Sequence, residues 1–182
     1  MQLIRPGEPR RFVQLWVSEA TGAWVRREGV VGRAGEVTEL GLAGEATTAA
    51  ELAAPYLAEG FAEVDDAALD WLVVQWASQT KRRDDWLVEH AGQWLAAVLD
   101  ERGLGYVDGH DRGKRGSDGA LVLNVYVRVA DAEAGRTAVL AALRQGRADE
   151  KRASIAHRAP DGTEWTVRHE RTSGRLPGGF SL

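Results

Sequence analysis

Cysteine is missing from the 182 residues, and with it go disulfides, thiol nucleophiles and every cysteine-based zinc site. Histidine is scarce. His90, His110, His157 and His169 are all there are, and none stands four residues from another on a helix, so no imidazole pair is offered to a metal. No metal and no cofactor is expected. Long apolar runs are missing too. No stretch approaches the roughly 20 apolar residues of a membrane span, and Met1–Glu8 carries no run that could serve as a signal peptide. The expectation is a cytoplasmic protein without membrane contact.

Basic residues are absent from one long segment. Residues 36–79 hold nine carboxylates (Glu36, Glu39, Glu45, Glu51, Glu59, Glu63, Asp65, Asp66 and Asp70) and no lysine or arginine. Residues 1–35 lean the other way, with six arginines against three glutamates. A block of one sign is commonly a solvated face, and it repels nucleic acid or attracts a basic protein. What is present otherwise describes a folded chain: 44% apolar and 27% charged residues suffice for a core.

Periodicity divides the chain into residues 1–65, residues 66–170 and a flexible tail, 171–182. In the first, strands are expected at about 11–17, 23–31 and 36–43, with turns at Ser18–Gly22 and Gly32–Gly35. Thr48 and Glu51 form a capping box, and Leu52, Tyr56 and Leu57 repeat at helical spacing up to Gly60; Pro55 either kinks that helix or starts it. The second region reads strand (70–78), helix (84–102), strand (104–108), strand (121–129), helix (capped by Asp131, ending at Gly146) and a closing hairpin. The order βαββαβ with one further strand predicts a ferredoxin-like antiparallel sheet with two helices on one face, so the fold class is α+β. For the hairpin, Pro160-Asp161-Gly162 predicts a three-residue loop that pairs Arg158 with Glu164 and His157 with Trp165, and sets Ile155, His157, Trp165 and Val167 on one face.

Val30-Val31-Gly32-Arg33-Ala34-Gly35-Glu36, lying between two strands, resembles the core of the WGR domain. The surrounding order agrees: an opening strand with Phe12 and Trp16, a second strand, the Gly-Arg turn, a third strand, and a helix closing on Gly60-Phe61. The resemblance covers about a third of the chain, with Val31 standing where the family has tryptophan. It implies a small sheet-and-helix module that, in several members, contacts DNA or RNA, the motif arginine meeting phosphate. Gly32 and Arg33 match the motif, and with Arg11, Arg26 and Arg27, which could form a basic surface on the same sheet, they are the candidate nucleic-acid contacts. Arg26 and Arg27, being adjacent, must point to opposite faces of a strand.

Gly103–Gly119, with six glycines, is expected to be an exposed, flexible connection, and His110, Asp111, Arg112, Lys114 and Arg115 are its candidate partner-binding residues. It fits neither the phosphate-binding Gly-x4-Gly-Lys-Ser/Thr order nor an EF-hand spacing. His110 beside Asp111 has no nucleophile nearby. No motif assembles nucleophile, base and electrophile, so no enzyme is expected. The expected function is a binding protein that contacts nucleic acid, or a protein associated with it, weakly and salt-sensitively through arginines. The alternative is an immunity- or inhibitor-type module whose acidic helical segment, Glu45–Asp70, holds a basic protein partner.

Overall fold

Alternating apolar and polar side chains build a meander in the first unit. β1 (Gln2–Arg5), β2 (Arg11–Val17), β3 (Ala23–Val30) and β4 (Glu36–Leu42) are followed by α1 (Ala49–Ala58) and β5 (Ala62–Glu63), in an antiparallel sheet ordered β4-β3-β2-β1-β5. This computed structural model describes residues 1–43, 47–148, 150–172 and 179–182. It has two compact units, Met1–Asp66 with Glu101–Gly103, and Ala67–Asp100 with Leu104–Leu182. Glu45 lies outside the described residues.

In the first unit Leu3, Val13 and Leu15 from the sheet, Ala53 from α1 and Phe61 beyond it form one buried cluster, with Leu52 and Tyr56 against it. The capping box forms as expected: Glu51 N–H donates to Thr48 Oγ1 (3.2 Å) and Thr48 N–H to Glu51 Oε2 (2.8 Å). Pro55 lies inside the helix and, lacking an N–H, gives no donor to the carbonyl a turn earlier. Gly35 has to be glycine, because a Cβ there would sit 2.8 Å from the Phe12 ring and 2.7 Å from Arg27 Cγ. β1 and β5 were not expected: four and two residues are too few for alternation to register.

The second unit comprises β6 (Asp70–Ala77), α2 (Lys81–Glu101), β7 (Gly105–Lys114), β8 (Leu121–Val129), α3 (Ala132–Gln145), β9 (Ala153–Arg158) and β10 (Thr166–His169). All its pairings are antiparallel and its order is β10-β9-β6-β8-β7, so the chain as a whole is α+β. Register fixes the two faces. Leu72, Val74 and Trp76 align with Ile155 and Ala153 on β9 and with Val127, Val125 and Leu123 on β8, all buried. This face packs with the helices: Trp76 Nε1 donates to Ala148 O just beyond α3 (3.2 Å), and Leu87, Ala91, Leu95 and Leu99 are the buried stripe of α2. The opposite face carries Trp71, Val73 and Gln75 on β6, Asn124, Tyr126 and Arg128 on β8, and Ser154, Ala156 and Arg158 on β9.

Two expectations are corrected. Gly103–Gly119 is not a flexible connection. Most of it is β7, paired with β8 from Gly105 to Lys114, and its glycines serve extended backbone; at Gly105 (φ 148°) a Cβ would lie 1.9 Å from Arg128 O. The closing hairpin also has another register. Residues 159–165 form the loop, Thr166 pairs with His157 and Val167 with Ala156, one residue away from the expected alignment. A one-residue slip exchanges faces. Trp165 therefore joins Arg158 on the face away from the helices while Ile155 is buried on the other, and no Arg158–Glu164 ion pair forms among the described residues. The indole, stacked on Arg158 and beside Phe180 (6.3 Å), outweighs the tight turn written in Pro160-Asp161-Gly162.

Candidate functional site

The candidate arginines of the first unit separate into two groups. Arg26 and Arg27 do point to opposite faces. Arg26 Nη1 donates to Tyr56 Oη (2.9 Å) and Nε lies 3.6 Å from Glu28; that hydrogen bond, ahead of the nearby charges, holds its pKa above the ordinary arginine value. Arg27 Nη1 donates to Gln14 Oε1 (3.0 Å) and its guanidinium lies 5.1 Å from the Trp16 ring. Both are built into the sheet. The others collect at one end of it. Arg11 pairs with Arg5 on one side and Val30 on the other, Val31 N–H donates to Arg10 O, and the Gly32–Arg33 turn (Gly32 φ 90°) closes with Arg33 N–H on Val30 O. Arg10, Arg11 and Arg33 are exposed.

The acidic residues do not share a helix face. α1 contains one carboxylate, Glu51, and that one is taken by the cap, which holds its pKa below the ordinary value. Glu36 and Glu39 are on β4, Glu63 is on β5, and Asp70 opens β6, where its Oδ1 meets His157 Nε2 (2.9 Å).

The candidates on the glycine-rich segment are scattered by β7's alternation. Arg112 points to α2 and pairs with buried Asp84 (2.9 Å), which also accepts from Ser78 Oγ (2.6 Å). Arg115 is fully buried on Asp118 and Gly179 O. Lys114 ends the strand, exposed. Asp111 points the other way, accepting from Asn124 Nδ2 (2.7 Å) and Tyr126 Oη (2.8 Å). This is one end of a chain of hydrogen bonds across the sheet: Gln75 Nε2 donates to Asn124 Oδ1 (3.0 Å), and Arg171 donates to Gln75 Oε1 (3.4 Å) and Ser154 Oγ (3.1 Å). Burial, then the charge of Arg115, lowers the pKa of Arg171; burial, then the Asp111 bond, raises that of Tyr126. A phenol so held donates a hydrogen bond and does not act as a base. Of the expected tail, 173–178 lie outside the described residues; Arg171 is buried, and Ser181 O accepts from Gln75 Nε2 (2.9 Å).

Beside this network the second sheet carries an open cleft of about 490 Å³, whose lining includes Trp71, Asp108, His110, Tyr126, Arg158, Trp165 and Leu182. A row of side chains crosses the sheet there. The Arg158 guanidinium lies 5.0 Å from the Trp165 ring and 5.1 Å from the Trp71 ring, and the Arg128 guanidinium lies 4.0 Å from the Trp71 ring; Tyr126 meets Trp71 edge-on at 6.4 Å. Asp108 occupies a bulge in β7, between the Val107 and Gly109 pairings. Of these residues, sequence reasoning flagged His110 alone. The signal available was the alternation of β8 and β9, which puts Tyr126, Arg128 and Arg158 on one face; the misplaced hairpin register hid Trp165.

Among the described residues no three acidic or histidine side chains gather as a metal cluster, and no helix is long and apolar enough to cross a membrane. Compared with protein-family models, with curated proteins and with solved structures, the chain matches none.

Proposed function

We propose that this chain is a non-enzymatic binding protein whose first unit, a divergent WGR-like module, contacts the backbone of a nucleic acid. One observation carries the reading: strand register brings Arg5 beside Arg11, with Arg10 and the Gly32–Arg33 turn at the same end of the sheet. Guanidinium groups presented together meet phosphates bidentately. Arg26 and Arg27, committed within the sheet, drop out of the contact set. We read the second unit as ferredoxin-like, an arrangement shared by many unrelated activities that adds nothing to the assignment of the first.

Val31 offers no stacking surface, and the acidic segment opposes phosphate, so binding is weak and steeply salt-dependent. The test is fluorescence anisotropy with short single-stranded, blunt and nicked DNA and RNA at low salt. Arg33→Ala removes most of the binding and lowers the salt slope by about one, the share of a single phosphate contact. Val31→Trp strengthens it by about 1–3 kcal/mol, the usual contribution of a base–aromatic stack. No binding at micromolar protein, or equal binding by Arg33→Ala, removes this reading. A basic protein partner then becomes the function to pursue.

A further inference from the structure

The cleft of the second unit combines three chemistries on one rigid surface, independently of the arginines of the first. The first is a cation held without an anion. Arg158 is fixed between two indoles, its Nε is buried without a hydrogen-bond partner, and it forms no ion pair among the described residues. A π-face orients a guanidinium but leaves its charge and its in-plane N–H donors unspent. The second is flat apolar area, from Trp71, Tyr126 and Trp165, bordering the same opening. The third is an acceptor. Asp108, lifted out of the ladder by the bulge, is exposed and has no hydrogen bond or ion pair among the described residues, whereas Asp111 beside it has both oxygens occupied. β7 and β9 are separated by β8 and β6, so acceptor and cation stand on strands about 14 Å apart at ~4.8 Å per spacing, with Trp71 and Tyr126 on the two strands between them.

A ligand satisfying all three has an anionic group at one end, a flat ring, and hydrogen-bond donors on the far edge of that ring. We propose that the cleft binds a nucleotide: its phosphate on Arg158, its base on Trp71 and Tyr126, which lie between that guanidinium and β7, and the exocyclic amino group of the base donating to Asp108. Bases that carry an amino group (guanine, adenine, cytosine) are preferred over uracil, because a carboxylate repels the carbonyl edge that uracil presents in its place. The same chemistry is offered by a free mononucleotide and by one residue of a single strand.

Isothermal titration calorimetry of the whole protein tests this, with GMP, AMP, CMP and UMP, with guanosine and inorganic phosphate as half-ligands, and with tetranucleotides of the same bases. Binding of GMP at least tenfold tighter than of guanosine, with UMP weakest of the four, is expected. Affinity for the tetranucleotide well above that for the mononucleotide identifies a strand as the source; equal affinity identifies the free nucleotide. Arg158→Gln brings GMP down to the level of guanosine, Trp71→Ala weakens all four bases by about tenfold, and Asp108→Asn abolishes the discrimination against UMP. Asp108 is exposed, so that variant remains informative should the indole variant fail to fold. Absence of heat from every nucleotide and tetranucleotide at millimolar concentration overturns the proposal, as does unchanged binding by Arg158→Gln and Asp108→Asn. The arms are separable from those of the first unit, because Arg33→Ala leaves mononucleotide binding untouched.

Discussion

In the first sheet, the arginines that sit mid-strand end on oxygen: Arg26 on the Tyr56 hydroxyl with Glu28 close by, Arg27 on the Gln14 amide. In the second, Arg158, the last residue of β9, ends on carbon, between the rings of Trp71 and Trp165. Both arrangements hold a guanidinium on a sheet face, yet they leave it in different chemical states. An oxygen partner consumes donors and, where it is a carboxylate, offsets the charge. A ring fixes the plane and consumes neither. What a side chain can still do is therefore set less by its exposure than by the kind of atom that holds it. By that measure the exposed arginines Arg10, Arg11 and Arg33 of the first unit stand at the end of its sheet, whereas the second unit keeps Arg158 available at the end of β9.

The sharpest contrast is with Arg112, an arginine of the second unit held by oxygen. Its partner Asp84 is buried to 1% exposure, and its other donors are Ser78 Oγ (2.6 Å) and the Gln79 N–H (3.3 Å). Arg112→Ala leaves that carboxylate buried without its cation. The expected cost is about 2–3 kcal/mol, below the full cost of breaking a wholly buried pair because Arg112 itself is one-third exposed. Urea unfolding reads it as a lower midpoint at unchanged slope. An effect below about 0.5 kcal/mol would mean that the Arg112–Asp84 pair contributes no more than a surface ion pair, and the distinction between oxygen-held and ring-held arginines would lose its energetic basis.

A smaller effect belongs to the hydrogen-bond chain beside the cleft. Tyr126→Phe deletes one of the two donors to Asp111 and costs about 1 kcal/mol. Its pH dependence has a definite sign. Burial, then the Asp111 bond, raises the phenol above its ordinary value of 10.0, so the native state favours the protonated form. That contribution is complete below pH 10 and is lost as pH rises toward the folded value. Native protein therefore loses stability above pH 10 more steeply than Tyr126→Phe. Urea midpoints at pH 8 and pH 11 check this; parallel losses in the two proteins would show that Tyr126 titrates as an ordinary phenol.

How far the sequence could be read depended on the range of the interactions involved. Capping chemistry is local, and Thr48–Glu51 and Asp131 were legible because every participant lies within three residues. Long alternation was legible as well: Leu121–Val129 displays its two faces in its own composition. The short strands β1 and β5 exist because β2 and the core on Leu3 and Phe61 give them something to pair with, which no window of four residues reveals. The glycine-rich segment misled for the opposite reason. Six glycines and many charges have the composition of a loop, yet β8 supplies a ladder from Gly105 to Lys114, broken only by the bulge at Asp108, and the ladder decided. At the hairpin, turn chemistry and tertiary stacking disagreed by one residue, and stacking decided. The cleft follows from that last choice, so it could not be assembled from sequence while Trp165 stood on the wrong face.

The smallest expected effect bears most directly on the contrast between the two ways of holding arginine. Arg158→Gln removes the charge from between Trp71 and Trp165 while keeping a planar, polar group, shorter than the guanidinium. No carboxylate is orphaned by the change, since Arg158 forms no ion pair among the described residues, so the penalty that makes Arg112→Ala expensive does not arise. What is lost is ring–cation attraction at two half-buried contacts, partly recovered by amide stacking, and the net cost is below about 1 kcal/mol. The measurement is the same urea titration, run beside Arg112→Ala so that slope and baseline are shared. A cost matching that of Arg112→Ala would show that the Trp165–Arg158–Trp71 row is a structural clamp whose cation is already spent. A small cost leaves a cation that the fold does not require for its own stability, which is the condition a ligand-binding arginine must meet.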